Sequence, residues 1–361
     1  MISLLGRLFP PPNYILRPAA GLDLSDRSIK VMEFYLGATG LKVKKFGEME
    51  IPAGIIEGGE IKNELRLVTS LKELKEKYSL NWVACDLPEE FAYVVRLKLP
   101  KTRPADLPGM IEVELPEHVP LSPGQIVFDF IPASLDETGK WVWVDVAAAS
   151  RAVVESYERA LLAAGLKPVS FEMEAAALAR TIFIKGDRQT TLVVDIGKVR
   201  TGFSIVSCGV VLDTTTVAGV SGDAFTELIR RALKASLVEA EERKIKFGLS
   251  RVNNNREQFF ALLPLVSALG DEIKKRISFW LDHGSNETST TPVTKIVLVG
   301  GQATLPGLIE YLAASTNLPV ELGNPWIGVL ETEKSLPPIP FNEALRYSVA
   351  IGLALRSFNN L

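Results

Sequence analysis

The sequence carries two short stretches of the same design, Gly21-Leu22-Asp23-Leu24-Ser25-Asp26-Arg27-Ser28-Ile29-Lys30 and Val194-Asp195-Ile196-Gly197-Lys198-Val199-Arg200-Thr201-Gly202. In each stretch an acidic residue lies at the end of an apolar, strand-like run, and a tight polar turn, a hydroxyl and a second strand-like run follow. Such a hairpin can direct backbone N–H groups at phosphate oxygens, while its aspartate organises a metal ion or water. Two copies about half a chain apart predict duplicated lobes that face one nucleotide.

The composition fits a globular protein of two domains and excludes several kinds of site. The chain has 361 residues, of which 47% are apolar and 23% charged, and its formal net charge is −3. This charge gives no reason to expect nucleic acid as a partner. His118 and His283 have no metal-ligand spacing, which excludes a zinc site and a Ser-His-Asp triad. Cys85 and Cys208 are expected to be reduced thiols, as in a reducing cytosol.

Hydrophobic periodicity predicts a similar succession of elements in each half of the chain. The strands predicted in the first half are Ala20–Ser25, Ile29–Leu36, Leu41–Ile51, Trp82–Leu87, Phe91–Leu99, Ile126–Pro132 and Trp141–Ala149, and the helices are Glu60–Tyr78 and Arg151–Ala164. The strands predicted in the second half are Leu192–Ile196, Gly202–Val206, Val210–Val217 and Lys295–Val299, and the helices are Gly222–Ala235, Glu239–Phe247, Glu257–His283, one beginning near Pro306, and Asn342–Phe358. Ser221 is expected to cap its helix, and the apolar last helix to be buried.

These elements give an expected domain plan. The first lobe covers residues 18–190, with its core at 18–98 and 168–190 and a small, Pro-rich αβ insert at 99–167. The second lobe covers 191–335, with its core at 191–218 and 293–335 and a helical subdomain at 219–292. Residues 336–361 are expected to form a C-terminal helix that returns to the first lobe. Residues 1–17 are expected to be a leader that packs on the first lobe or stays loose, or else weakly contacts a membrane surface or partner. Gly284–Thr291 is expected to be a surface loop.

Several polar residues outside the two aspartates are candidates for ligand contacts. Lys30 lies seven residues after Asp23, on the returning strand, within reach of a β- or γ-phosphate. Gly197 permits close approach of the backbone to an anion. Gly300-Gly301, at the end of a buried strand, can pass beneath a planar ring, and Glu241 and Lys244 can hydrogen-bond a ribose or base edge from one helical face. Each motif alone is also compatible with an ordinary turn or a solvated helix.

The order of these motifs resembles that of the actin-like ATPase superfamily and, within it, the PilM family of type IV pilus assembly. The stretches that carry the resemblance are Gly21–Lys30, Phe171–Arg180, Val194–Thr201, Gly219–Thr226, Glu239–Lys244, Leu298–Gly307 and Tyr347–Arg356. The resemblance implies an α/β fold of the actin-like (ribonuclease H-like) kind, with two lobes and a small 1C-type insert in the first. It also implies ATP and Mg²⁺ as the ligands.

The resemblance implies a role for each candidate site residue. Asp23 and Asp195 would hold Mg²⁺ through water, and Lys30 would contact phosphate. Glu174 falls where the superfamily positions its attacking water, so Glu174 and Asp195 are the catalytic candidates. The first phosphate loop would consist of Ser25, Asp26, Arg27 and Ser28, and the second would include Gly197 and Thr201. The residues around the adenosine would be Gly222, Glu241, Lys244, Gly300 and Gly301.

Three residues depart from the family pattern. Ser25 stands where glycine is usual, and Ser221 replaces the first glycine of a Gly-Gly-Asp pattern. Asp26 adds a negative charge near the expected anion, and Arg27 is expected to offset it. Because the protein's part in phosphoryl transfer is mainly positioning and charge stabilisation, these changes disfavour fast hydrolysis more than nucleotide binding. The chain is therefore expected to be at most a slow ATPase.

The function that the resemblance implies is that of an ATP-binding assembly protein of the pilus inner-membrane platform. It would hold the cytoplasmic N-terminal peptide of a PilN-like protein at the cleft between the insert, near Leu99–Leu166, and the first lobe. It would be cytoplasmic and peripheral at the inner face of the cytoplasmic membrane, reaching the membrane only through its partner. Three alternatives remain. An FtsA-like filament-forming division protein is expected to carry an amphipathic C-terminal membrane helix, and a type II secretion relative a transmembrane segment. A small-molecule kinase of the same superfamily is expected to have polar sugar contacts and a catalytic base.

Overall fold

The computed structural model describes residues 18–37, 40–136, 138–184, 186–250, 255–283, 291–327, 329 and 337–358. The expected leader at 1–17 and almost all of the expected loop Gly284–Thr291 therefore lie outside the described residues. In the described ranges, no helix combines the length and the apolar character needed to cross a membrane.

The first half of the chain alternates strands and helices. Its strands are β1 (Ala20–Leu24), β2 (Ser28–Gly37), β3 (Gly40–Glu50), β4 (Ile56–Glu57), β5 (Glu60–Ile61), β6 (Trp82–Leu87), β7 (Ala92–Pro100), β8 (Ile126–Leu135), β9 (Trp141–Ser150) and β10 (Lys167–Met173). Its helices are α1 (Glu64–Tyr78), α2 (Leu107–Glu114), α3 (Arg151–Ala163) and α4 (Glu174–Ile182). Short 3₁₀ turns lie at Glu89–Phe91, Pro104–Asp106, Leu115–Glu117 and Pro123–Gln125.

The second half repeats the succession of strands and then adds helices. Its strands are β11 (Thr190–Ile196), β12 (Arg200–Ser207), β13 (Val210–Ala218), β14 (Lys295–Val299) and β15 (Val320–Leu322). Its helices are α5 (Gly222–Leu233), α6 (Leu237–Phe247), α7 (Arg256–His283), α8 (Leu308–Thr316), α9 (Phe341–Ala344) and α10 (Ser348–Leu355). The expected cap of α5 is confirmed, because the Ser221 side chain accepts a hydrogen bond from the Ala224 N–H.

The two large sheets have the same topology. The first sheet has the order β3-β2-β1-β6-β10, and the second has the order β13-β12-β11-β14-β15. In both, the first three strands along the chain pair antiparallel and the last two are added parallel. The duplication expected from the two hairpin sequences is therefore present in the strand order of the whole sheets.

The carboxyl ends of the central strands bring the site residues together. β1 and β11 are almost entirely buried, as their continuous apolar runs require of strands in the middle of covered sheets. β1 ends next to the first polar turn, β11 next to the second, and β14 next to Gly300. In open α/β sheets ligands bind beyond the carboxyl ends of the strands, so this edge is where a ligand site is expected.

The structure changes the limits of the insert. β7, which the sequence plan gave to the core, pairs with β9 in a separate three-stranded sheet of order β7-β9-β8. α3, which the plan gave to the insert, packs instead in the core of the first lobe through Tyr157, Ala160 and Leu161. The separate sheet therefore covers residues 92–150 where the plan had 99–167.

Local chain chemistry explains the other differences from the predicted elements. α1 begins at Glu64 and not at Glu60, because the Asn63 side chain caps it and Glu60–Ile61 pairs with β4. β10, α4 and β15 had no predicted counterpart. The last predicted helix is present as α9 and α10 joined by a 3₁₀ turn, and α10 is buried against β1 and α4, as expected for so apolar a segment.

Candidate functional site

A large cavity lies where the carboxyl ends of the central strands of the two sheets meet. Its volume is about 900 Å³, near the upper end of the range for small-molecule sites. The predicted site residues that line it are Asp23, Ser25, Asp26, Arg27, Ser28, Lys30, Glu174, Asp195, Gly197, Glu241, Lys244, Gly300 and Gly301. Residues that the sequence plan assigned to separate loops thus converge on one cleft.

Two predicted site residues, Thr201 and Gly222, are not in the wall of this cavity. Thr201 is fully buried, and its hydroxyl donates a hydrogen bond of 2.7 Å to the Val220 carbonyl. Gly222 is buried at the start of α5, where its carbonyl accepts hydrogen bonds from Thr226 and from the Lys244 ammonium. Both residues therefore lie outside the cavity wall and hydrogen-bond to the elements behind it.

The turns at the tips of the two hairpins have the same backbone hydrogen bond. The Ser25 N–H donates to the Ser28 carbonyl at 3.0 Å, and the Gly197 N–H donates to the Arg200 carbonyl at 2.9 Å. A side chain at position 197 would place its first carbon 2.9 Å from the Arg200 carbonyl oxygen, so the second turn favours glycine. Ser25 and Gly197 are thus structurally equivalent, as are Ser28 and Arg200.

The aspartate of the first hairpin is neutralised within its own hairpin. Asp23 lies opposite Lys30 in the register of β1 and β2, and the Lys30 ammonium is 3.0 Å from Asp23 Oδ2. Burial lowers the pKa of Lys30, but the neighbouring Asp23 carboxylate outweighs it and raises that pKa above its ordinary value. Lys30 was expected to contact phosphate, and here it donates its hydrogen bond to Asp23.

The aspartate of the second hairpin has no such partner. Asp195 lies opposite Gly202 in the register of β11 and β12, so the hairpin offers it no cation at that position. Burial, together with the nearby Asp23, raises the pKa of Asp195 to about 6, against the opposing effect of Lys30 and Arg200. Gly300 packs directly on it, because a side chain there would meet Asp195 Oδ1 at 2.2 Å, and its φ of +88° also favours glycine.

This pair of aspartates fits a cation that is only partly held by protein. No group of three or more His, Cys, Asp or Glu side chains in the described part of the chain forms a metal site. Mg²⁺ usually keeps several waters and takes one or two protein carboxylates plus substrate phosphates. The fit rests on geometry, because the carboxyl groups of Asp23 and Asp195 line the same cavity, and a cation bound there would oppose the rise in the pKa of Asp195.

The negative charge of Asp26 is compensated by groups within the protein. Its two oxygens accept hydrogen bonds of 2.9 and 3.1 Å from the N–H groups of Gly58 and Gly59. The expectation that Arg27 offsets Asp26 is wrong: Arg27 approaches Asp223 at 3.9 Å, and the cation beside Asp26 is Arg200.

Arg200 is the functional candidate that the sequence reasoning missed. Its side chain, 14% exposed, lies 3.6 Å from Asp26, 3.0 Å from Glu90 and 2.7 Å from Glu174. Burial raises the pKa of Glu174 well above its ordinary value, and Arg200 opposes this rise. The signal in the sequence was an arginine in the second turn at the position where the first turn has Ser28.

The far end of the cleft is built around α6. Lys244 is 2% exposed and is engaged by Glu241 at 2.8 Å and by the Thr226 hydroxyl at 2.9 Å. Burial lowers the pKa of Lys244, which Glu241 partly offsets. The Glu241 carboxylate is 44% exposed and lines the cavity, so Lys244 orients Glu241 and Glu241 is the group that a ligand meets. Gly300 and Gly301 line the same cavity.

The fold is that of the actin-like proteins. The structure is similar to MreB5 of Spiroplasma citri bound to ADP, with a TM-score of 0.55 at 14% identity over 94% of this chain and 98% of that one. It is more similar to the protein solved in a PilM-PilN type IV pilus biogenesis complex, with a TM-score of 0.76 at 26% identity over 94% of this chain and 98% of that one.

Sequence comparison identifies the family. The model of the type IV pilus assembly protein PilM matches residues 21–358, so the chain belongs to that family. A more distant relative is the cell division protein FtsA of Neisseria meningitidis, which is 21% identical over 295 residues, or 72% of this chain and 68% of the relative. The family expected from the motif order is confirmed.

Proposed function

We propose that the chain is a nucleotide-binding assembly protein of a type IV pilus inner-membrane platform, with ATP and Mg²⁺ as ligands of the cleft. The observation that carries the proposal is the convergence of Asp23, Asp195 and the two equivalent turns on one cavity of about 900 Å³. A bound Mg²⁺ supplies positive charge that neutralises the phosphate oxygens. Asp23 and Asp195 are the residues that would hold it.

The side chains around the cavity support the following proposed roles for its two ends. The turns that begin at Ser25 and Gly197 lie at the phosphate end, because short hairpin turns can present backbone N–H groups to anions. Glu241, oriented by Lys244, would lie at the adenosine end and accept hydrogen bonds from ribose or base. The wall formed by Gly300 and Gly301 presents no side chains to a planar ring.

Slow or absent hydrolysis follows from the state of Glu174. In the proposed role Glu174 orients the attacking water, which requires a free carboxylate oxygen near the terminal phosphate. Here Arg200 donates a hydrogen bond of 2.7 Å to Oε1, and this ion pair makes the whole carboxylate less basic toward a water molecule. We infer that the protein uses nucleotide to stabilise a conformation and not to turn over substrate.

The proposed partner is the cytoplasmic N-terminal peptide of a PilN-like protein. The similarity to the protein of the PilM-PilN complex supports this assignment. The insert supports it too, because it presents the exposed apolar side chains of Val113, Ile131 and Leu135, and β8 is an outer strand of its sheet. An extended peptide can bind such a strand or the adjoining groove. Binding would place the protein at the inner face of the cytoplasmic membrane, in contact with the platform proteins.

Co-purification with a PilN-type N-terminal peptide, with and without Mg-ATP, tests the proposal. We expect the peptide to be retained, and Ile131→Asp in β8 to abolish retention because it places a charge on the apolar surface of the insert. Val210→Asp is the matched control, since Val210 is also an exposed apolar strand residue but lies on the second sheet. Loss of the peptide in both variants, or in neither, contradicts a site on the insert.

Nucleotide binding is tested separately by thermal unfolding. Mg-ATP at about 100 times its dissociation constant should stabilise the fold by ~2.7 kcal/mol. An unchanged melting temperature at millimolar Mg-ATP contradicts the assignment of the cleft. A phosphate-release assay over hours should show slow or no turnover, and fast turnover would contradict the proposed role of nucleotide as a conformational ligand.

A further inference from the structure

Arg200 is the feature of the cleft that nucleotide binding alone does not explain. It belongs to β12 in the second sheet, yet each of its ion-pair partners belongs to the other lobe. Asp26 is in the turn between β1 and β2, Glu90 is in the 3₁₀ turn after β6, and Glu174 is the first residue of α4. One guanidinium therefore joins three separate elements of the first lobe to the second.

Arg200 lies among carboxyl groups of the first lobe. Besides its three partners, Asp86 and Glu89 feel its charge: burial raises the pKa of Asp86 to about 8 and that of Glu89 to about 7, and Arg200 opposes both rises. Oδ2 of Asp86 and Oε2 of Glu90 have no hydrogen-bond partner among the described residues. The first lobe thus presents a group of buried and partly buried carboxyl groups to the second, and the guanidinium of Arg200 is inserted among them.

The other ion pairs between the lobes are weaker. Lys198 and Glu50 are 3.5 Å apart, and both side chains are more than half exposed. Arg27 and Asp223 are 3.9 Å apart and also partly exposed. Exposed pairs of this kind contribute little, because water screens them and their side chains lose entropy. Arg200 is the buried ionic contact between the lobes in the described part of the chain.

We propose that Arg200 is an interlobe latch: it holds the nucleotide cleft closed before any ligand enters and keeps Glu174 in an ion pair. The part concerning nucleotide rests on the proposed function, whereas the closure of the lobes does not. Without Arg200, three carboxyl groups of the first lobe lose their ion pairs to the second lobe, so the cleft widens about the apolar contacts that α4 keeps with the second core. The same change frees the Glu174 carboxylate and removes a barrier to nucleotide release.

The closure is measured on the ligand-free protein by the distance between two spin labels. The labels are placed by Glu57→Cys in β4 and Glu239→Cys in α6, both exposed, in a Cys208→Ser background because Cys208 is also exposed. Arg200→Gln should shift the distance distribution to longer values by several ångströms and broaden it. The matched control is Arg276→Gln, since Arg276 is similarly buried but pairs with Glu272 inside α7. That control should leave the distribution unchanged.

Release of a fluorescent ADP analogue supplies the second readout. Arg200→Gln should raise the dissociation rate at least tenfold, and Arg276→Gln should not. If Arg200→Gln fails to fold, Glu90→Gln removes one latch contact without altering the wall of the cavity, and it should produce a smaller shift of both readouts in the same direction.

Each outcome decides the proposal. An unchanged label distance in Arg200→Gln overturns the latch, whatever the rate of nucleotide release. If only Glu90→Gln folds, an unchanged distance in that variant does the same. A longer distance in a protein that binds no nucleotide supports the latch and contradicts the proposed function. A longer distance with unaltered release shows that closure does not retain the ligand and overturns that part of the proposal.

Discussion

The two hairpins share a backbone and differ in charge. Both turns close with the same N–H to C=O hydrogen bond, and both place an aspartate two residues before the turn. Opposite that aspartate the first hairpin has Lys30 and the second has Gly202. At the end of the turn the first has Ser28 and the second has Arg200. The first hairpin is therefore neutral by itself, whereas the second leaves Asp195 for a cation and sends its own cation to the other lobe.

The comparison shows which features the two hairpins share and which differ. Hydrogen bonding and register, which define the strands, are the same in both copies. The charged side chains, which neither the register nor the turn determines, lie at different positions in the two hairpins. We therefore expect the same substitution to have different effects in the two copies, and the following predictions use that difference.

The largest expected effect is the loss of stability in Asp23→Asn. Lys30 would then be a buried ammonium without its carboxylate, and breaking one side of a buried ion pair costs ~3–5 kcal/mol. Asp195→Asn removes a carboxylate that burial already disfavours, so the ligand-free fold should be unchanged or slightly more stable. Urea unfolding of the two variants without ligand measures both. Equal destabilisation would show that the hairpins are electrostatically equivalent.

The second effect is the loss of ligand stabilisation in Asp195→Asn. Mg-ATP at about 100 times the wild-type dissociation constant should add ~2.7 kcal/mol to the free energy of unfolding of the wild type and nearly nothing to that of the variant. The physical reason is the removal of the carboxylate that has no cation of its own. Thermal unfolding with and without Mg-ATP measures the shift. A full shift in the variant would move the metal-side role elsewhere in the cleft.

The third effect is a pH dependence set by the carboxylates around Arg200. Burial raises the pKa of Glu89 from 4.5 to about 7, so the fold favours its protonated form. Its contribution to stability is complete below about pH 4.5 and is lost as the pH rises through about 7. Glu89→Gln should therefore flatten the decline of stability across that window, by at most about 1.4 kcal/mol per pH unit. Urea unfolding at several pH values measures the slope, and a slope identical to that of the wild type would contradict the raised pKa.

The smallest effect concerns the equivalent positions Ser25 and Gly197. The Ser25 hydroxyl donates to the Ser28 carbonyl, so Ser25→Gly should cost about 1 kcal/mol of stability through that hydrogen bond. It makes the first turn resemble the second, yet phosphate release should stay slow because Arg200 still engages Glu174. A marked rise in phosphate release would show that the serine, and not the ion pair, limits turnover.

Much of the fold was accessible from the sequence because the two halves repeat the same pattern. Strand β14 was predicted at its observed bounds, since a short apolar run ends there at two glycines. The predicted limits of the insert differ from those of the separate sheet, because no change in the local sequence marks β7 as part of the insert or α3 as part of the first lobe. Only the pairing of β7 with β9 and the packing of Tyr157 in the first core assign them.

The site was less accessible, because side-chain partners depend on contacts distant in sequence. The convergence of the aspartates, Gly300 and Glu241 on one cavity followed from motif order. Arg200 did not, since its partners lie at positions 26, 90 and 174 and no local spacing connects them.

A crystal of the protein soaked with a non-hydrolysable ATP analogue and Mn²⁺ tests the central claim most directly. The account predicts anomalous density for Mn²⁺ between the carboxylates of Asp23 and Asp195, with the phosphates at the two turns and the base beside Gly300 and Gly301. A cleft that stays empty in well-diffracting crystals, or a metal ion bound away from both aspartates, would contradict it.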